Sequence, residues 1–249
     1  MEIDVKRFED AKEKIIGKDR QRLQIGTLSE KTVHAVLKNY YEPDEDKQEI
    51  PIEGMYADIY TGSEIIEIQT RSFDRLREKL NRFLPLYKVT VVLPIPDIKW
   101  LIWIDEETGE LSDKRKSPKK GNAYQAFREF YKIKPYLKDK NLNITLLFLD
   151  MEEYRLLNGW SQDKKKGSCR YDRIPKELKK EINLTCPEDY MQLLPIDLPE
   201  LFTTAEFAKA VKIPGRQAGL VLNILHFLEL VQRIDKKGNA YIYKVTDSY

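Results

Sequence analysis

The chain has 249 residues, 34% of them charged and 41% hydrophobic, with a formal net charge of +2. That length holds one large domain or two modest ones, and the near-neutral balance excludes general polyelectrolyte binding, so any nucleic-acid contact has to come from local basic patches. There is no charged-then-apolar leader and no apolar run long enough to span a bilayer, which sets the expectation of a cytoplasmic protein with no membrane partner. Cys169 and Cys186 are the only cysteines and lack CxxC spacing, which argues against a zinc cluster or a disulfide framework. With His34 and His226 the only histidines, a Cys/His nucleophilic site is disfavoured.

Residues 5–16 read as a first helix. Ser29 is a plausible N-cap for a second, running to Tyr41 with Val33, Val36 and Leu37 on its apolar stripe. His34 lies one turn after Glu30 and reads as a surface or packing histidine. An acidic turn, Tyr41 to Lys47, leads into two β-rich runs, Ile50–Tyr60 and Glu64–Thr70, flanking Thr61-Gly62-Ser63. Gly62-Ser63 is a good two-residue hairpin loop. With that loop Tyr60 faces Ile65, Ile59 faces Ile66 and Asp58 faces Glu67. Ala57, Ile59, Ile66 and Ile68 then share one face, and Asp58, Glu67 and Gln69 the other. Opposed residues have Cβ atoms ~5 Å apart, and like charges placed so destabilise a sheet. A divalent cation is the simplest compensation, because magnesium takes one or two carboxylates and keeps positions for water and phosphate oxygens.

Asp58, Glu67 and Gln69 on such a hairpin resemble the D…E-x-K signature of the PD-(D/E)XK nuclease superfamily, the restriction-endonuclease-like fold. The resemblance covers about the first 150 residues. It implies a Mg- or Mn-dependent endonuclease acting on DNA, with Asp58, Glu67 and the Ile68 carbonyl holding the metal. Glu30, on the helix before the hairpin, would add a further acid. Gln69 departs from the usual lysine: a glutamine orients water by hydrogen bonds but neither deprotonates it nor carries positive charge. A homodimer is a further implied partner, since many such nucleases pair to cut two strands. The alternative is a catalytically inactive nuclease fold acting as a DNA-binding or protein-binding regulator.

Beyond the hairpin, Arg71–Phe83 reads as a helix with Phe73, Leu76, Leu80 and Phe83 on one side. Lys88–Pro94 and Lys99–Asp105 read as separate strands, Tyr124–Tyr136 as helix and Asn143–Asp150 as strand. The order predicts an α/β core, a mixed sheet with helices packed on it, over residues 1–150. Residues 151–185 read as a polar, irregular bridge. Arg71 is placed to reach a phosphate. Lys114, Arg115, Lys116, Lys119 and Lys120 form a basic loop, and Lys164, Lys165, Lys166 and Arg170 a second cluster, both suited to phosphate contact.

Residues 186–249 carry their own pattern. Thr203 or Thr204 caps a short helix, Ile213-Pro214-Gly215 turns, and Arg216–Leu230 forms a second helix with Leu220, Ile224, Phe227 and Leu228 inward. A hairpin through Lys236-Lys237-Gly238 follows. That order resembles a winged helix-turn-helix domain, which implies DNA contacts from Arg216 and Gln217 on the second helix and from Lys236 and Lys237 on the wing. The apolar character of that helix supports a protein-contact role equally well.

Overall fold

Runs of Ile, Val and Leu at residues 65–68, 89–95 and 144–149 pair side by side as the centre of one mixed sheet. A computed structural model describes residues 3–20, 32–160 and 166–246. Two helices, α1 (Val5–Arg20) and α2 (Thr32–Tyr41), precede strands β1 (Gln48–Ile52), β2 (Met55–Tyr60) and β3 (Glu64–Ile68). Helix α3 (Leu76–Phe83) leads to β4 (Lys88–Ile104), a short β5 (Arg115–Lys116) and helix α4 (Phe127–Phe130), flanked by 3-10 turns. Strands β6 (Leu142–Trp160) and β7 (Lys166–Leu184) complete the sheet. Its order is β1-β2-β3-β4-β6-β7, with β5 on the outer part of β4. β3 runs parallel to β4 and β4 to β6; the other neighbours are antiparallel.

Helices cover both faces, which is why β3 is buried along almost its whole length. On one side Val33, Val36 and Leu37 of α2 and Phe8 of α1 pack on Ile59, Ile66, Ile68, Val92 and Leu147. On the other, Leu76, Leu80 and Phe83 of α3 pack with Phe127 and Phe130 on Ile65, Val91 and Ile144. Removing a ring such as Phe83 from this layer costs about 3–5 kcal/mol, because a close-packed core collapses only partly around the cavity.

The hairpin has the expected register at its tip, Tyr60 opposite Ile65 and Ile59 opposite Ile66. Past that pair β2 leaves the ladder, so Ala57 falls in the core under α3 while Ile59 packs under α2. Both faces are therefore covered, and the expected sharing of one face by Ala57 and Ile59 does not occur. α3 begins at Leu76 rather than Arg71, and residues 124–136 contain only one short α-helical turn between 3-10 segments.

Two larger differences concern the sheet. The expected strands at 88–94 and 99–105 are one strand, despite Pro94 and Pro96. Gln69 N–H donates to the Val92 carbonyl at 2.9 Å, so even-numbered residues of β4 point their backbone groups toward β3. β3 ends level with Val92, and prolines at 94 and 96 lack N–H groups on the side where no strand lies beside them. The segment expected as an irregular bridge over 151–185 is strand at 151–160, which continues β6, and at 166–184, which forms β7. Four register irregularities bend this hairpin, which lets polar, bulged strands persist where strict alternation fails.

The last elements are β8 (Leu201–Thr203), α5 (Thr204–Ala210), α6 (Gly215–Phe227), β9 (Val231–Lys237) and β10 (Ala240–Val245), with a small sheet ordered β8-β10-β9. Thr203 is the N-cap of α5 and forms a capping box with Glu206. The buried stripe of α6 runs through Ala218, Val221, Leu222 and Leu225, so Leu220 and Phe227 are only half-buried, against expectation. Phe202 and Phe207 join Tyr124, Phe127, Phe130 and Tyr190 in one aromatic cluster that fuses this unit to the α3 side of the main sheet.

Candidate functional site

The site forms where β2 separates from β3. Because the ladder ends at Ile59–Ile66, Asp58 turns its carboxylate toward the end of β3 and accepts from the Ile68 N–H at 2.7 Å. Glu67 has no exposed surface, and one of its oxygens takes the Asp58 N–H at 3.4 Å. Gln69 Nε2 lies 3.4 Å from the other. The residues picked out by sequence on β2 and β3 thus converge, although Asp58 and Glu67 are not a ladder pair. Glu30, the expected extra acid, lies outside the described residues.

Two further side chains complete the group. Lys79, from the middle of α3, places its Nζ 2.9 and 2.7 Å from the Glu67 oxygens and 3.8 Å from Asp58 Oδ1. His34, from α2, places Nε2 3.2 Å from Asp58 Oδ2. His34 is therefore more than a packing residue. Lys79 escaped sequence reading because α3 reads only as an amphipathic helix, and nothing in Arg-Glu-Lys-Leu separates a lysine aimed inward from one in solvent. Its place three residues after Leu76 and one before Leu80, beside the buried stripe, was the one available signal.

Charge is unevenly held. Burial, then the neighbouring Asp58 charge, pushes the Glu67 carboxyl up to about 7, against the pull of Lys79. Burial also opposes ionisation of Asp58, but His34, Lys79 and the Ile68 N–H outweigh it and hold the group below its ordinary value. The like-charge repulsion expected between the carboxylates is thus answered by an ammonium. Two carboxylates and the carbonyl of Ile68 suit a hard cation in donor type and number, since magnesium takes one or two carboxylates and keeps several waters. Among the described residues no group of three or more His, Cys, Asp or Glu gathers as a metal site.

The other expected contact residues lie elsewhere. Arg71 is exposed two residues past Gln69. Lys114 pairs with Glu152 at 2.6 Å and lies over the Trp100 ring, Arg115 and Lys116 are β5, and Lys119 and Lys120 line a shallow depression with Asp97 and Pro118. Arg216 is exposed and Gln217 half-buried at the start of α6, Lys236 lies over Tyr241 at 4.7 Å, and Lys237 ends β9.

Residues 31–185 match the family described as a domain of unknown function, DUF8091, and the chain belongs to that family. The matched span runs from the start of α2 through β7, so the carboxylate site and the whole main sheet after α1 lie within it. The chain is also similar to an uncharacterized protein of Treponema pallidum (strain Nichols), 26% identical over 229 residues, covering 89% of this chain and 88% of that one. No solved structure matches. No helix among the described residues is long and apolar enough to cross a membrane.

Proposed function

We propose that the protein is a metal-dependent phosphodiesterase, endonuclease-like, acting on DNA through Asp58 and Glu67. The observation that carries this reading is a fully buried carboxylate and a second carboxylate gathered at a strand end, with one lysine ammonium within 4 Å of both. A solvated hairpin edge has no reason to bury Glu67, since an ionised carboxylate removed from water is costly without a partner. The order β1-β2-β3-β4-β6, with α2 on one face and α3 on the other, is compatible with a restriction-endonuclease-like core. The order β8, α5, α6, β9, β10 is compatible with a winged helix that docks DNA or a partner.

Mg or Mn bound at Asp58, Glu67 and the Ile68 carbonyl would supply an activated water and offset charge on the phosphate. Within the chain, His34 and the Ile68 N–H orient Asp58 and keep it ionised. Lys79 supplies the positive charge that Gln69 cannot, and Gln69 is left to orient water. Calorimetric titration with Mn²⁺, beside the Asp58→Ala/Glu67→Ala double variant, tests the centre. Binding is expected in the parent and lost in the variant, followed by Mn²⁺-dependent cleavage of DNA. Cleavage by Glu67→Ala at the parent's rate would refute the mechanism.

The contact between Lys79 and Glu67 also favours a second reading, in which the lysine has taken over the cation's place and the fold serves DNA or protein binding without cleavage. Salt-sensitive DNA binding without any Mn²⁺ heat would select it.

A further inference from the structure

Leu101 lies nine positions after Val92, which is level with the end of β3, and a straight strand would span about 30 Å between them. Leu101 is level with Glu153, and Glu153 with Arg173. Yet Arg173 Nη2 donates to the carbonyl of Thr70, two residues beyond β3, at 2.7 Å. The outer half of the sheet therefore curls back across the end of β3, with bulges at Pro96/Lys99 and Asp150/Met151 providing the bend.

The curl brings Arg173, and with it a set of cations, to the end of β3, three residues past Glu67. Glu153, 1% exposed, is ringed by Lys99 Nζ at 3.1 Å, Arg155 Nη1 at 2.7 Å and Arg170 Nε at 3.4 Å. Arg155 is pinned further by Ser168, through its side chain at 2.8 Å and its carbonyl at 2.9 Å. Asp172 is engaged by the N–H and hydroxyl of Thr32 at the start of α2. With Arg71 beside Thr70, five cations stand against two carboxylates in a chain whose whole net charge is +2. Burial, and after it the like charge of Arg170, pulls the Arg173 guanidinium down to about 10, while Glu153 and Asp172 pull the other way. Lys114 belongs to a different surface: it pairs with Glu152, and successive residues of β6 point to opposite faces.

We propose that Arg71, Arg170 and Arg173 form a tract for the DNA phosphate backbone, leading along the curled sheet into the Asp58–Glu67 site. The planar forks of these arginines suit phosphate oxygens. Glu153 and Ser168 hold the base of the cluster rigid. Arg170 is half-exposed, with its Nε 3.4 Å from Glu153. The tract rests on the phosphodiesterase reading for its substrate class and for the direction in which the strand is led, but not for binding itself.

The test is fluorescence anisotropy of a short labelled DNA duplex with the full chain in EDTA, across a salt series. Arg71→Ala and Arg170→Ala are each expected to weaken binding roughly fivefold and to lower the slope of log affinity against log salt by about one. Arg170→Lys should keep the slope while losing part of the affinity. Melting temperatures of Arg71→Ala and Arg170→Lys should match the parent, since Arg71 is exposed and a lysine at 170 keeps a cation beside the buried Glu153. Unchanged affinity and slope in both alanine variants would overturn the proposal. So would competition by poly-glutamate as effective as competition by unlabelled DNA. Because EDTA removes metal, failure here is separate from failure of the Mn²⁺ titration, which reports on Asp58 and Glu67.

Discussion

Glu67 and Asp58 titrate in opposite directions, and their effects on stability fall in different pH windows. The folded-state value of Glu67 is raised above its unfolded value, so the folded protein holds the extra proton between about 4.5 and 7 and loses stability as pH rises through that range. The loss is about 3 kcal/mol for a shift of this size. Asp58 is depressed, so its contribution is present above its unfolded value and disappears only as pH falls through the lower folded value. Urea unfolding of metal-free protein should therefore show declining stability from pH 5 to 7, and Glu67→Gln should flatten that decline. An equal slope in the variant would move the effect to another group. Lys79 gives a second prediction at this scale. Lys79→Met should abolish DNA cleavage under the proposed mechanism, and adding Gln69→Lys should restore part of it, because either position can present an ammonium to the same carboxylates. A double variant as inactive as Lys79→Met would show that only the α3 position serves.

At the scale of elements, the outer sheet depends on one close approach. A Cβ on Gly121 would lie 2.0 Å from the Pro96 carbonyl oxygen and 2.9 Å from the Ile95 side chain. The loop after β5 therefore rests directly on β4 at the bulge where the sheet begins to curl. Gly121→Ala should cost about 1–3 kcal/mol, as over-packing against backbone does, and is read by denaturant midpoint. Thr203→Ala removes the cap and half of the capping box of α5 and should cost about 1 kcal/mol by the same measurement. The contrast is informative: the first change strains the bend that carries Arg170 and Arg173, and the second leaves it untouched.

For the whole molecule, the shared core decides how separable the parts are. Tyr124, stacked on Phe127, meets Phe207 edge-on at 6.1 Å, Phe130, Tyr190 and Phe202 belong to the same core, and Lys134 Nζ reaches Asn223 at 2.9 Å. A chain ending at Leu184 would leave that apolar face in water. Such a truncation is expected to melt well below the parent or to aggregate, as followed by circular dichroism and light scattering. A fragment with the parent's melting temperature would show that the main sheet stands alone.

The turn at Gly62-Ser63, the register Tyr60–Ile65 and Ile59–Ile66 and a cap at Thr203 or Thr204 were legible locally, because turn chemistry and period-two burial act over a few residues, whereas the expected direct opposition of Asp58 and Glu67 is replaced by a contact between the Asp58 N–H and the Glu67 carboxylate. Lys79 and His34 were not, because helical periodicity reports which face is apolar and not which charged residue beside that face meets a carboxylate on a strand. The strands at 151–160 and 166–184 were hidden for a related reason: bulges break alternation, and their charges pair across strands, as Glu153 does with Lys99 and Arg170, rather than facing water. Sequence by itself determined the elements around the hairpin and the identity of its two acids. Only the tertiary structure decided what balances those acids and what the curled sheet brings beside them, since both depend on contacts between residues far apart in the chain.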